Sequence, residues 1–301
     1  MLLKKFASYN RHITITTKTN DMETPDQLKE MVRQKYSAIA LQDKDTNASS
    51  CCGATSTCCG DSVYNIMSED YDKLNGYNPD ADLGLGCGLP TQFAKIKTGD
   101  VVIDLGSGAG NDCFVARQEC GPEGKVIGID FTEAMIAKAR SNAEKQGFHN
   151  VEFRQGDIEK MPLTSGVADV VVSNCVLNLV PNKKEVFKEI LRVLKPGGHF
   201  SISDVVLVGE LPDKLKNAAE MYAGCIAGAI QKEEYLNLIR ETGFTTVTVQ
   251  KEKAITIPDE ILKDYVTGEE AKTFKNSGVG IFSVTVFAKK DSCCKPGSGC
   301  C

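Results

Sequence analysis

The cysteines of this 301-residue sequence are spaced in ways that suit binding of soft ions or transfer of electrons. Two pairs separated by five residues form CCGATSTCC, residues 51–59, and the same spacing recurs in CCKPGSGCC, residues 293–301. Three single cysteines lie in glycine-rich or loop-like sequence: Cys87, Cys175 and Cys225. Thiolates are the ligands that soft metal and metalloid centres prefer. Two thiols can also supply a pair of electrons by forming a disulfide.

The amino-acid composition indicates in which cellular compartment the protein acts and which classes of partner it binds. The chain has 13 cysteines, yet its first 21 residues lack the apolar segment and the cleavage site of a secretory signal. We therefore expect reduced thiols in a cytoplasmic protein rather than a disulfide scaffold. The net charge of −5 argues against nucleic acid as a partner. No apolar run approaches the roughly 18 residues of a membrane span, so we expect no membrane association.

The second chemical feature is the glycine loop DLGSGAG, residues 104–110. Its three glycines permit a tight turn and close approach of a ligand to the backbone. The spacing G-x-G-x-G differs from the G-x-G-x-x-G of dinucleotide binders, and Asp104 would repel a pyrophosphate but attract a cationic amino group. Asp130 ends the next predicted strand, 24 residues after Gly106, where it can accept ribose hydroxyls. A nucleoside that carries an amino acid fits these residues, and S-adenosylmethionine is such a molecule.

These residues need a scaffold of alternating strands and helices. Thr24, Pro25 and Gln27 predict a capped helix that runs to about Ala40. Strands are predicted at 101–105, 125–130, 151–155, 168–174, 199–205, 245–251 and 282–289. Further helices are predicted at 111–120, 132–147, 183–194, 213–230 and 231–242. This alternation predicts an α/β fold with a doubly wound, mostly parallel, seven-stranded Rossmann-like sheet.

The glycine loop and Asp130 resemble those of the class I S-adenosylmethionine-dependent methyltransferases. Three cysteine motifs narrow the resemblance to the arsenite methyltransferases, over about residues 25–290; they are GLGCGLP (84–90), SNCVLNLVP (173–181) and AGCIAGA (223–229). The resemblance implies methylation of trivalent arsenic in arsenic detoxification. It also implies that Cys87, Cys175 and Cys225 bind As(III), whose lone pair attacks the donor methyl group.

The resemblance also implies a donor site and a redox thiol. The predicted donor-binding residues are Asp104, Gly106, Ser107, Gly108, Gly110, Asp130, Phe131, Asp157, Ile158 and Asn174. A further N-terminal cysteine takes part in redox steps in the family, and spacing leaves Cys58 and Cys59 as alternatives. A thioredoxin- or glutathione-type reductant would restore the thiols.

The chain divides into four predicted parts. Residues 1–60 form an N-terminal extension with a helix and a Cys-rich loop, and residues 61–208 form the S-adenosylmethionine-binding methyltransferase core. Residues 209–290 form a small arsenic- or acceptor-binding portion that includes the closing strands, and residues 291–301 form a flexible Cys-rich tail. This tail either captures arsenite and relays electrons or binds soft metals incidentally; its spacing does not match the usual zinc pattern.

Two other functions are compatible with parts of the sequence. The first is a methyltransferase for a small organic acceptor, with structural cysteines. The second is a thiol-rich protein that sequesters soft metals, although the intact glycine loop argues against it. Cys113 and Cys120, on the first predicted helix of the core, are expected to be small buried apolar residues.

Overall fold

The computed structural model describes residues 24–41, 71–211, 226, 228–256, 267–269 and 277–292. In these ranges the helices are α1 Pro25–Ala40, α2 Pro90–Phe93, α3 Asn111–Cys120, α4 Glu133–Gln146, α5 Lys183–Val193 and α6 Lys232–Thr242, and a 3-10 turn covers Leu177–Leu179. The strands are β1 Val101–Leu105, β2 Lys125–Asp130, β3 Val151–Gln155, β4 Ala168–Asn174, β5 Leu194–Val208, β6 Thr245–Ile255 and β7 Gly280–Lys289. None of the described helices is both long and apolar enough to cross a bilayer.

The seven strands form one sheet in the order β3-β2-β1-β4-β5-β7-β6. Strands β1 to β5 are parallel, and β7 is antiparallel to both β5 and β6. The predicted doubly wound, mostly parallel fold is confirmed. The strand order reverses between β1 and β4, so the loops that follow these two strands diverge and leave a crevice beyond their carboxyl ends.

Alternate residues of each central strand enter two separate cores. Ile103 and Leu105 of β1 pack with Phe187 and Phe200 on the face covered by α5 and α6. Val102 packs on the opposite face in the core formed with α3 and α4. Since both faces are buried, the strands are continuous apolar runs rather than alternating ones.

Most predicted elements are confirmed at or close to their expected bounds. The capping box of α1 is present: the Gln27 backbone N–H donates to Thr24 Oγ1 at 3.3 Å, and the Thr24 backbone N–H donates to Gln27 Oε1 at 2.7 Å. The helix predicted for 213–230 falls mostly outside the described residues, and Ile226 and 228–230 are not helical.

Strand β5 begins earlier than the sequence predicts. It starts at Leu194 instead of 199 and runs through Pro196, where the sequence predicts a loop. The Gly197 backbone N–H donates to the carbonyl of Lys290 at 3.1 Å, and the Lys290 N–H donates to the carbonyl of Gly198 at 2.8 Å. Leu194 pairs with Ala168 of β4, and Gly197 and Gly198 pair with Lys290, so partners distant in sequence extend the strand, and a local pattern cannot reveal such pairing.

A carboxyl group is buried inside the sheet on the α5 and α6 face. Asp204 of β5 is fully buried, and its Oδ2 lies 3.4 Å from the donating hydroxyl of Tyr235 on α6. Its Oδ1 accepts the backbone N–H of Val205 at 3.1 Å. Burial raises the pKa of Asp204 to about 7, against the opposing effect of the positive charge on Lys183.

Asp204→Asn should stabilise the protein relative to wild type above pH 7. Between about pH 4 and pH 7 the folded wild type keeps a proton that the unfolded chain releases, so its free energy of unfolding falls as pH rises. The free energy of unfolding of the variant minus that of wild type should grow between pH 4 and pH 7 and level off above pH 7, with an upper bound of ~4 kcal/mol. Urea unfolding at pH 5, 6, 7 and 8 measures it, with Asp100→Asn as the control. A difference that does not change with pH would contradict the burial argument.

Candidate active site

A cavity of about 1110 Å³, counted with its open mouth, lies beyond the carboxyl ends of β1 to β4. Its lining includes nine of the ten residues predicted to bind the donor: Asp104, Gly106, Ser107, Gly108, Asp130, Phe131, Asp157, Ile158 and Asn174. Gly110 does not line it. This glycine is instead the N-cap of α3, with φ 101°, and a Cβ there would lie 2.9 Å from the rings of Phe114 and Phe153.

The glycine loop forms a cradle with unsatisfied polar atoms. Gly106 and Gly108 have φ of 66° and 51°, in the left-handed region that favours glycine. A Cβ on Gly108 would meet nothing within 4 Å, whereas one on Gly106 would overlap Val176. In the described part of the chain, Ser107 Oγ and Asn111 Oδ1 are buried without a hydrogen-bond partner. Such atoms need partners, and a bound ligand with polar groups would supply them.

Five carboxyl groups line the cavity: Asp82, Asp104, Asp112, Asp130 and Asp157, of which Asp157 is paired with Lys29. Burial, and then the charge of Asp112, raise the pKa of Asp104 well above its usual value. Asp130 is held by backbone N–H groups, with Oδ2 accepting from Gly108 at 3.0 Å and Oδ1 from Thr132 at 2.8 Å. Clustered acids in a poorly solvated site favour a cationic ligand. S-adenosylmethionine carries positive charge on its sulfonium and its ammonium, so the residues fit this donor.

Cys113 contributes to this acidic cluster. Both Cys113 and Cys120 are buried, as predicted. The Cys113 thiol also donates a hydrogen bond to Asp104 Oδ2 at 3.2 Å. Burial and the charge of Asp104 raise the pKa of Cys113 well above its usual value, which keeps the thiol protonated and able to donate. The expectation of a purely apolar role missed this contact, which the sequence pattern does not indicate.

Helix α1 covers the mouth of the cavity with residues that the sequence analysis did not single out. Lys29, Val32 and Tyr36 line it, and their spacing of three and four residues places them on one helix face. Lys29 Nζ contacts Asp157 Oδ2 at 2.7 Å and also pairs with Glu159. The helical spacing would have revealed this face, but not which part of the core it packs against.

Cys87 and Cys175 are anchored to the same end of the sheet. The Cys87 backbone N–H donates to Oδ1 of Asn174 at 3.0 Å, and its carbonyl accepts from Ser283 Oγ at 2.5 Å. Cys175 follows Asn174 directly, and its N–H donates to the carbonyl of Ser203 at 2.8 Å. Cys175 also has φ 61°, a left-handed conformation that is uncommon for a residue with a Cβ. Both cysteines are buried, and Cys175 lines the cavity.

The electrostatics of Tyr235 link the two cysteines. Its pKa is raised well above the usual value by burial, by Asp204, and then by the charges of Cys87 and Cys175. Two sulfur-bearing segments that are far apart in sequence therefore both act electrostatically on the same buried hydroxyl group. Cys225, Cys58 and Cys59 lie outside the described residues. Within the ranges that are described, no group of three or more His, Cys, Asp or Glu side chains is arranged to hold a metal ion.

Comparisons with known proteins agree with this architecture. Residues 96–243 match the methyltransferase domain family. The chain is 39% identical to the arsenite methyltransferase of Halobacterium salinarum, over 95% of this chain and 74% of that protein. It is 35% identical to the arsenite methyltransferase of Aquipseudomonas alcaligenes, over 78% of this chain and 67% of that protein.

A solved structure shows the same relationship. The arsenic(III) S-adenosylmethionine methyltransferase of Chlamydomonas reinhardtii superposes with a TM-score of 0.58 at 35% identity, covering 70% of this chain and 68% of that chain. The predicted family is therefore confirmed. The chain belongs to the arsenite methyltransferases and is an S-adenosylmethionine-dependent methyltransferase.

Proposed function

We propose that this enzyme transfers a methyl group from S-adenosylmethionine to trivalent arsenic held by the thiolates of Cys87, Cys175 and Cys225. The observation that carries the proposal is the anchoring of Cys87 and Cys175 around Asn174 and Ser203, beside a cavity that fits the donor. The relatives' names point to the same substrate. A role in cytoplasmic arsenic detoxification follows from this activity.

The described residues next to Cys225 support its place in the ligand set. Ile226 is buried, and Gly228 lies so close to Asn178 that an added Cβ would overlap that residue's carbonyl oxygen. Asn178 belongs to the 3-10 turn that begins two residues after Cys175. Gly228, three residues after Cys225, therefore packs against the turn that follows Cys175, and this contact supports the proposal that Cys225 joins the same ligand set.

The proposed chemistry follows from the donor set. Three thiols displace three hydroxide groups from arsenous acid, and each hydroxide leaves as water with one thiol proton. Trivalent arsenic on three sulfurs keeps a lone pair, so the residues need only aim it at the donor. When bound, S-adenosylmethionine supplies an electrophilic methyl group on a sulfonium. No general base is required, because arsenic carries no proton. The contribution of the protein is chiefly positioning, which can lower a barrier by several kcal/mol.

The proposal also includes a redox cycle. Methylation formally oxidises arsenic to the pentavalent state, and two thiols can return the two electrons by forming a disulfide. Cys58 or Cys59 is proposed as one of these thiols, with a thioredoxin- or glutathione-type reductant restoring them. The role of the tail CCKPGSGCC, beyond the described residues, stays a prediction.

Methyl transfer from labelled S-adenosylmethionine to arsenite, with excess thiol, tests the proposal. The wild type should methylate arsenite, and Cys175→Ser should lose at least about a hundredfold in rate while it still binds the donor, since a hydroxyl is a poor ligand for a soft centre. Cys120→Ser, which changes a buried cysteine outside the cavity lining, is the matched control. A Cys175→Ser enzyme as active as wild type would refute thiolate ligation by Cys175.

Gly228→Ala tests the approach of the Cys225 segment. The added methyl group has no space against Asn178, so the segment must move away from Cys175. Arsenite methylation should fall by about tenfold or more, with little change in the dissociation constant of S-adenosylmethionine. Gly268→Ala is the control, because a Cβ there meets nothing within 4 Å. Full activity in Gly228→Ala would argue that this contact does not position Cys225.

One observation favours a second candidate, a methyltransferase for a small organic acceptor. Asp112 lines the cavity, and burial raises its pKa to about 6, which suits a general base. Methyl transfer that proceeds with an organic acceptor and not with arsenite would select this candidate. The buried, convergent thiols of Cys87 and Cys175 have no role in that reaction, and arsenic is therefore the first choice.

A further inference from the structure

A polar network connects the donor cavity to the backbone of the Cys87 segment. Its members are Tyr71, Asp112, Asn174 and the carbonyl of Gly88. Tyr71 is buried, and its hydroxyl lies 2.9 Å and 3.0 Å from the two carboxylate oxygens of Asp112 and 3.1 Å from the Gly88 carbonyl. Tyr71, Asp112 and Asn174 all line the cavity. The described reaction leaves Tyr71 and Asp112 without a role.

Counting the hydrogens of the network shows what each group does. The Cys87 N–H can only donate, so it fixes the orientation of the Asn174 amide, with Oδ1 towards Cys87. The Asn174 NH₂ group then donates to the Gly88 carbonyl at 2.8 Å, contacts the Tyr71 hydroxyl and lies 3.2 Å from Asp112 Oδ2. The single hydroxyl hydrogen of Tyr71 remains for the Asp112 carboxylate. An ionised Asp112 therefore completes the network, with an acceptor for every hydrogen.

The network leaves no room for the Cys87 segment to shift. A Cβ on Gly86 would lie 2.6 Å from Asn174 Nδ2, and one on Gly88 would lie 2.5 Å from Ser203 Oγ. Asn174 thus holds the backbone on both sides of Cys87. Tyr71 and Asp112 in turn fix the Asn174 amide.

We propose that Tyr71 and Asp112 are positioning residues for the acceptor, which act through Asn174 to hold the Cys87 segment beside the donor cavity. The inference rests on the proposed function of Cys87 as an arsenic ligand. Neither residue touches the arsenic; both set the geometry of a ligand to it. Because Asp112 lies on the first turn of the helix that follows the glycine loop, the network also joins the acceptor thiol to the donor-binding loop.

The charge of Asp112 gives the network a pH dependence. Titratable groups facing Asp112 are Asp82, Asp104, Tyr71 and Cys113. Burial raises the pKa of Asp112 to about 6, while hydrogen bonds from Tyr71 and Asn174 lower it. Below pH 6 the carboxyl group gains a proton and loses an acceptor site, so it orders both the Tyr71 hydroxyl and the Asn174 amide less firmly. Removal of the Tyr71 hydroxyl should raise this pKa further and move the loss of order to higher pH.

Tyr71→Phe tests the proposal, with Tyr77→Phe as the matched control. Tyr77 lies in the same segment, and its hydroxyl donates to Asp82 at 3.2 Å, outside the network. At pH 7, Tyr71→Phe should raise the dissociation constant of arsenite about three- to tenfold, the effect of one lost hydrogen bond. The dissociation constant of S-adenosylmethionine should change less than twofold. Equilibrium dialysis with elemental detection measures arsenite, and calorimetry measures the donor.

The pH profile separates positioning from a general loss of structure. In wild type, arsenite affinity should fall as the pH drops below about 6. This fall should begin at a higher pH in Tyr71→Phe and at the same pH in Tyr77→Phe. Asp112→Asn should abolish this fall, and adding Tyr71→Phe to it should cost little more, because the two residues act as one unit.

Three results would overturn the inference. One is an unchanged arsenite affinity in Tyr71→Phe. Another is an equal loss of arsenite and donor affinity, which would make Tyr71 a donor contact. The third is a wild type that binds S-adenosylmethionine but no arsenite, which refutes the proposed function and this inference with it; the wild-type measurement thus distinguishes the two failures.

Discussion

The proposed acceptor side of this enzyme depends on the hydrogen bonds of the Asn174 carboxamide. Asn174 ends β4, precedes Cys175 in the chain, and accepts the backbone N–H of Cys87, a residue 87 positions earlier. Without it, two cysteines from separate segments would have no shared anchor. The sheet supplies the rest of the geometry, because Ser203 of β5 accepts the Cys175 N–H and Ser283 of β7 donates to the Cys87 carbonyl. The rigid end of β4 therefore anchors two cysteine segments whose positions would vary if loops alone held them.

The donor cavity concentrates buried acids at the cost of stability in the ligand-free enzyme. Burial raises the pKa values of Asp104, Asp112 and Asp130, and the charge of Asp112 adds to the effect on Asp104. Ionised acids in such surroundings favour unfolding and favour a cationic ligand for the same physical reason. The cavity is thus destabilising until a positive group enters it, a common trade between stability and function.

The sequence predicts the helices and strands of the scaffold well because the signals for them lie in neighbouring residues. Short apolar runs, the capping box at Thr24 and the glycine loop each depend on neighbouring residues, and their elements lie where expected. The start of β5 was missed because it depends on pairing with Ala168 of β4 and with Lys290. Nine of the ten predicted donor residues line the cavity, since strand ends and the switch point follow from the fold class.

The acceptor side was less accessible from sequence. Cys175 directly follows the strand predicted at 168–174, whereas only flanking glycines and the resemblance to a family indicate Cys87. Tyr71 lies in an irregular segment with no periodicity, and its contact with Asp112 joins residues 41 positions apart. Only the folded chain reveals such a side-chain network.

The central claim is that Cys87, Cys175 and Cys225 share one arsenic, and arsenic X-ray absorption tests it most directly. The sample is the reduced protein with serine at the four tail cysteines (Cys293, Cys294, Cys300 and Cys301) and one equivalent of arsenite. The wild-type spectrum should show three sulfur neighbours and no oxygen, and Cys175→Ser should replace one sulfur by oxygen. An oxygen-dominated shell in wild type, or a spectrum unchanged by Cys175→Ser, would contradict it.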